Sequence, residues 1–143
     1  MAERWVKRCM LVTDLGLLAY WVATATRLIA PYPAEVLVDW NWSFLGLDVM
    51  VSVTGLAGLW LLRRGSDVGR WLMPVSLALT HAAGLTALNF WVLRGEYALG
   101  WWLPNLWLAV FPVVALVVLW RSSRTGRSVS PARTSIRPRR PSG

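Results

Sequence analysis

Four stretches of this chain, about 9–30, 43–62, 72–93 and 102–120, are apolar, nearly uncharged and roughly twenty residues long. At 1.5 Å rise per residue, ~20 helical residues cross a hydrocarbon layer of about 30 Å. Backbone in hydrocarbon has to satisfy its N–H and C=O groups internally, so such segments become helices. They predict an all-α fold, an integral membrane four-helix bundle. Composition agrees: 56% of the 143 residues are hydrophobic and 15% charged, against about 25% charged in soluble domains. Mean hydropathy is +0.47.

The first stretch follows basic residues, and Ala23-Thr24-Ala25 resembles a signal-peptidase site. It is longer than an ordinary signal core and contains Asp14, Tyr20 and Trp21, so it is read as a retained helix.

Orientation follows from the basic residues. Arg4, Lys7 and Arg8 precede the first stretch, and Arg63, Arg64 and Arg70 lie between the second and third. Seven arginines, from Arg121 to Arg140, follow the fourth, and only Arg27 and Arg94 fall on the other side. The positive-inside rule therefore predicts that both termini are cytoplasmic, and an even number of spans requires them to share a side. Residues 121–143, rich in Arg, Ser and Pro, predict a disordered basic tail drawn to anionic lipid headgroups. The domain reading is thus a helical unit over 1–120 and a tail over 121–143.

The net charge of +8 does not indicate nucleic acid, because the charge sits in the tail and at segment ends rather than on one folded face. Cys9 is the single cysteine, which excludes an intramolecular disulfide and CxxC redox or metal chemistry. There is no GxSxG, HExxH, P-loop, dinucleotide fingerprint or zinc-deaminase signature. No cofactor or metal is expected.

Local signals place helix ends. Ser43, or Asn41 before it, predicts the N-cap of the second span. Pro74 and Pro104 predict first-turn positions in the third and fourth, and Pro112 a kink. Most of the eleven tryptophans fall where spans meet the interface and read as an aromatic belt. Trp21 and Trp107 lie deeper and are pocket candidates.

An ionisable residue inside a span costs about 2.5–3.5 kcal/mol and requires an explanation. Asp14 and Asp48 are predicted in opposite leaflets, too far apart for a carboxylate dyad. Arg27 lies at the depth of Asp48 and predicts an ion pair with it. Asp48, Ser52, Gly55 and Leu59 share one helical face, and Ser76, Thr80, Gly84 and Ala87 another; such small-residue stripes pack membrane helices. His81, the only histidine, reads as a buried neutral ring bonded to a neighbouring helix, or as a proton relay with Asp14. Asn41, Asn89 and Asn105 with Asp48 and Arg27 would form a polar, tryptophan-rimmed cavity open to the outside.

The runs TDLGLLAYW (13–21) and DWNWSFLGLDVMVSVTGL (39–56) resemble a family of small bacterial membrane proteins known as YvaD-like. The shared features are an early aspartate in the first span, the W-N-W-S-F entry to the second, and an aspartate five residues after the serine. Gly46 departs from a pattern that often has proline there. The resemblance implies four helices in a bacterial plasma membrane and carries no catalytic residues, since the family has no assigned function.

Three functions fit. The chain is a non-enzymatic transporter-like, accessory or partner-binding component, working among membrane lipids and assembling with itself or another membrane protein. Alternatively, Asp48 is the acid of an isomerase or cyclase acting on a lipid or isoprenoid. In a third reading, Asp14 and His81 couple transport to protons.

Overall fold

The computed structural model describes residues 2–127, which form five helices and, among the described residues, no strand. Helix α1 covers Ala2–Ala25, α2 Glu35–Ser43, α3 Leu45–Arg63, α4 Val68–Arg94 and α5 Leu99–Arg127. Only Phe44 separates α2 from α3. Its φ of −81° and ψ of −18° remain in the helical region, and the Asp48 amide still bonds the Phe44 carbonyl at 2.9 Å. Glu35–Arg63 is therefore close to one rod of 29 residues.

Three segments, Glu35–Arg63, Val68–Arg94 and Leu99–Ser122, are long and apolar enough to cross a membrane. Helix α1 is not among them. Its first two turns carry Glu3, Arg4, Lys7 and Arg8, and it stops at Ala25 rather than near residue 30. The stop is local: Leu28 and Ile29 both donate to the Ala23 carbonyl, Arg27 takes a left-handed φ of 59°, and Pro31 and Pro33 follow. Helix α4 ends differently, on Gly95 at φ 65°, with Glu96 N–H returning to the Trp91 carbonyl at 3.2 Å as in a Schellman turn.

Several expected helix ends are corrected. Asn41 and Ser43 cap nothing, because both lie inside α2; Ser43 Oγ donates backward to the Trp40 carbonyl at 2.6 Å. Pro74 and Pro104 lie inside α4 and α5, past the first turn. Each leaves one carbonyl four residues earlier without its helical donor. Helix α5 runs on to Arg127, so the first seven residues of the predicted tail are helical. Arg124 lies over the Trp120 ring at 3.6 Å. The rest of the predicted tail, 128–143, lies outside the described residues.

The helices close into a ring: α1 meets α3, α3 meets α4, α4 meets α5, and α5 returns to α1, with α2 leaning on α3. Both predicted stripes face inward. Asp48, Ser52, Gly55 and Leu59 are buried, as are Ser76, Thr80, Gly84 and Ala87. Each seam has a polar stitch. Ser52 Oγ donates to the Asp14 carbonyl at 3.2 Å, and Ser76 Oγ to the Val51 carbonyl at 3.2 Å. His81 Nδ1 donates to the Ala109 carbonyl at 2.7 Å. Trp107 Nε1 donates to Thr13 Oγ1 at 3.0 Å. An apolar cluster of Val6, Met10, Leu59, Met73, Leu77, Phe111 and Ala115 fills one half of the ring. The outward faces are apolar too, with Met50, Val53, Leu103 and Val110 exposed, a surface matched to a hydrocarbon solvent.

Glycine sets the closest approach. A Cβ on Gly84 would stand 2.6 Å from the Ala109 nitrogen and 2.7 Å from the Leu108 carbonyl carbon, backbone atoms that cannot turn aside. Gly84→Ala is expected to lower stability by about 1–3 kcal/mol through overpacking. Gly46→Ala, which meets nothing within 4 Å, is expected to cause no loss. Thermal unfolding of both variants in detergent checks the contrast; equal melting temperatures would remove this account of the α4–α5 seam.

Candidate functional site

In the other half of the ring the helices form a half-open cavity of about 700 Å³. Its lining follows helical periodicity. Thr13, Gly16, Leu17, Tyr20 and Trp21 come from α1, and Trp40 and Asn41 come from α2. Phe44 and Asp48 carry that face into α3, while α4 gives Ala83 and Ala87. Helix α5 gives Gly100, Trp101, Pro104, Asn105, Trp107 and Leu108. Small residues at Gly16, Ala83, Ala87 and Gly100 leave the space, and bulky rings wall it.

Asp48 lies in this wall, 7% exposed, and its Oδ2 accepts the Trp21 Nε1 proton at 2.9 Å. The predicted ion pair with Arg27 does not form. Arg27 lies beyond the end of α1 in the left-handed turn, is exposed, and makes no salt bridge among the described residues. Register is the reason, with early termination of α1: Trp21 stands at the level of Asp48, and Arg27, six residues on, lies past the end of the helix and out of the bundle. An indole N–H takes the role expected of a guanidinium.

Asn41 is buried and accepts from the Tyr20 hydroxyl at 2.7 Å, an α1–α2 tie that orients both side chains in the wall. Asn105 is buried and donates Nδ2 to the Trp101 carbonyl one turn earlier at 2.8 Å. Trp107 lines the cavity and stacks on Phe111 at 5.0 Å between centroids. Asn89 is exposed on the outer side of α4 and does not reach the cavity.

Asp14 and His81 lie outside the cavity as well. The Asp14 side chain is 1% exposed, and its Oδ2 has no hydrogen-bond partner among the described residues. It occupies the space a Gly55 side chain would take, beside Ser76 Oγ. His81 is instead turned to the α5 backbone. Trp21 and Gly55 are each seven residues from Asp14 and Asp48 respectively, so the two carboxylates lie about 10 Å apart along the bundle.

Sequence reasoning missed Tyr20, Trp40 and Trp101 as cavity residues. The signal existed for Trp40, since Trp40, Phe44 and Asp48 repeat at i, i+4 and i+8, but assigning 39–42 to a loop hid it. Around the cavity mouth the rings form a continuous cluster. Trp40 stacks on Phe90 at 4.0 Å, Tyr32 on Trp101 at 5.5 Å and Trp91 on Trp101 at 5.9 Å. Trp91 is 4% exposed, and so belongs to this cluster rather than to an interfacial belt. Trp5, Trp60, Trp71 and Trp120 are exposed, as a belt requires. The Tyr32 hydroxyl and Trp91 Nε1 have no hydrogen-bond partner among the described residues, and burial pushes the Tyr32 hydroxyl above its ordinary range.

Removing the Asp48 donor is expected to matter more than removing the distant cation. Trp21→Phe keeps a ring and leaves Asp48 Oδ2 unpaired, with an expected loss of about 1–3 kcal/mol. Arg27→Ala is expected to stay within about 0.5 kcal/mol of the parent. Thermal melts of the two variants in one detergent decide it, and the opposite ranking would restore the ion pair.

Comparison with known proteins gives the chain its kinship. No solved structure matches it. The chain is 35% identical over 127 residues to "Uncharacterized protein YvaD" of Bacillus subtilis (strain 168), an alignment covering 85% of this chain and 96% of that protein. Residues 6–125, which take in the whole cavity, match the model of a family described as "Family of unknown function (DUF5360)". By both measures the chain belongs to this YvaD-like family, whose function is unknown.

Proposed function

We propose that this is a multi-pass plasma-membrane protein of the non-enzymatic, transporter-like or accessory kind, which takes a small, mostly apolar ligand into the cavity. The cavity itself carries the reading. It is within the size range of ligand sites, is contributed by every helix, and sets a few polar groups (Asp48, Asn41 and Asn105) in an apolar wall. A pocket with that balance admits an apolar body and orients one polar feature of it.

The topology adopted here has α1, α2–α3, α4 and α5 all crossing the bilayer, with both termini in the cytoplasm. Lys7, Arg8 and Arg63 line a shallow groove at the end of the bundle opposite the cavity, and Arg64 and Arg70 follow in the same connector. The positive-inside rule assigns that end to the cytoplasm, so the cavity lies in the outer half. The same basic end, with the arginines after α5, would meet anionic headgroups. The apolar outer faces leave room for a second copy or another membrane protein beside the lipids.

Two measurements test this. Green fluorescent protein fused after Gly143 is expected to fluoresce, and alkaline phosphatase fused there to be inactive; an active phosphatase would reverse the topology. For the cavity, the neutral probe N-phenyl-1-naphthylamine is expected to bind purified protein and be excited by energy transfer from tryptophan. Gly16 lines the cavity, and a Cβ added there would meet nothing within 4 Å, which leaves room for a ring to start. Gly16→Phe is therefore expected to fold and to weaken probe binding by ~10-fold or more, equivalent to about 1.4 kcal/mol. Unchanged binding in that variant would sink the cavity as the ligand site.

A further inference from the structure

We propose that the ligand of this cavity is a lipophilic cation, a molecule with one delocalised or alkyl-shielded positive charge inside apolar substituents. The inference rests on the cavity reading above and specifies which chemical class the cavity selects.

The charged group of the wall, Asp48, decides the sign of the charge, and three of the wall's ring donors bear on it. Three ring donors that could have served an anion are already engaged by the protein. Trp21 Nε1 is held by Asp48 at 2.9 Å, the Tyr20 hydroxyl by Asn41 at 2.7 Å, and Trp107 Nε1 by Thr13 at 3.0 Å. With their N–H and O–H groups tied into the wall, these rings contribute π surface and little hydrogen-bond donation. Aromatic π faces carry negative quadrupole charge and attract cations, most strongly where water is excluded.

Among the described residues, no lysine, arginine or histidine lines the cavity. Asp48 is the one carboxylate in its wall, and among the described residues it makes no ion pair. Arg27, the basic residue expected to neutralise it, is outside the bundle. A carboxylate bonded to Trp21, in a cavity that Trp40 and Trp101 also line and that holds no resident cation, is a site whose charge a cationic ligand can balance. An anion of the same size would meet the carboxylate and the ring faces together, both repulsive. A neutral molecule would fit the space and could at most hydrogen-bond to Asp48, without the charge–charge attraction open to a cation.

Tetraphenylphosphonium and tetraphenylborate provide the test, since they match in shape and differ in the sign of the charge. Equilibrium dialysis of the full-length protein in an uncharged detergent, corrected for protein-free micelles, gives both affinities. The phosphonium is expected to bind at least ~10-fold more tightly than the borate. Asp48→Asn keeps an acceptor for Trp21 Nε1 and removes the charge, so it is expected to fold. It should lower phosphonium affinity by ~10-fold while sparing N-phenyl-1-naphthylamine.

Borate binding as tight as phosphonium would overturn the charge selection, and this comparison needs only the parent protein, so it stands even if Asp48→Asn does not fold. Equal phosphonium affinity in parent and Asp48→Asn would overturn it too. Neutral-probe binding that is lost in Gly16→Phe alongside either of those results would leave the cavity as a ligand site and remove only its cation preference. Failure of the neutral probe and of both ions to bind would remove the cavity reading and this inference together.

Discussion

The α1–α3 seam is the constraint on which the rest of the bundle depends. At its centre the Asp14 side chain occupies the place where a residue other than glycine at 55 would put its own. Ser52, fully buried one turn earlier on the same face, donates to the Asp14 carbonyl. In the membrane setting proposed for this chain there is no hydrophobic drive for helix association, so contact has to come from close packing and interhelical hydrogen bonds. Once this seam is formed, Trp21 lies beside Asp48 seven residues further along both helices. The Asp48 face of α3 then looks into the ring rather than outward. The cavity follows from the seam's register.

The bundle is chemically polarised along its axis. Beyond the seam in one direction, Met10, Met73, Leu77 and Phe111 fill the ring completely, and Lys7, Arg8 and Arg63 lie at the rim. In the other direction small residues alternate with large rings, and the ring of helices stays open inside. The same bundle thus has a filled end and a hollow end. In both halves, each polar side chain that joins two helices sits at a seam and bonds a backbone carbonyl or another side chain, so the apolar wall of the cavity is interrupted at few points.

Much of this architecture was legible beforehand because it depends on solvent and periodicity. An apolar run of twenty residues has one stable backbone solution in hydrocarbon, and the two small-residue stripes have one sensible direction to face. Site detail was less legible. The pairing of Asp48 with Arg27 failed because it assumed that α1 continues past Ala25; the left-handed turn and the two prolines beyond it end the helix early. Ser43 or Asn41 looks like the start of the second span, which leaves Trp40 outside it, whereas the helix begins at Glu35. Trp21 and Trp107 were picked out by depth, and they do line the cavity. Depth could not reveal that their N–H groups would be spent on Asp48 and Thr13.

The sequence by itself determined the all-helical class, the inward faces of α3 and α4, the asymmetry of charge and the kinship, all of which follow from local periodicity, composition or direct likeness. Only the tertiary structure decided what faces Asp48. That depends on the rotation of α1 against α3, which is set by Gly55 admitting Asp14 and by Ser52 bonding the backbone there. The physical reason is that a side chain's partner is fixed by the register between helices far apart in sequence. A shift of one residue turns a helical face by about 100°, and no local pattern records it.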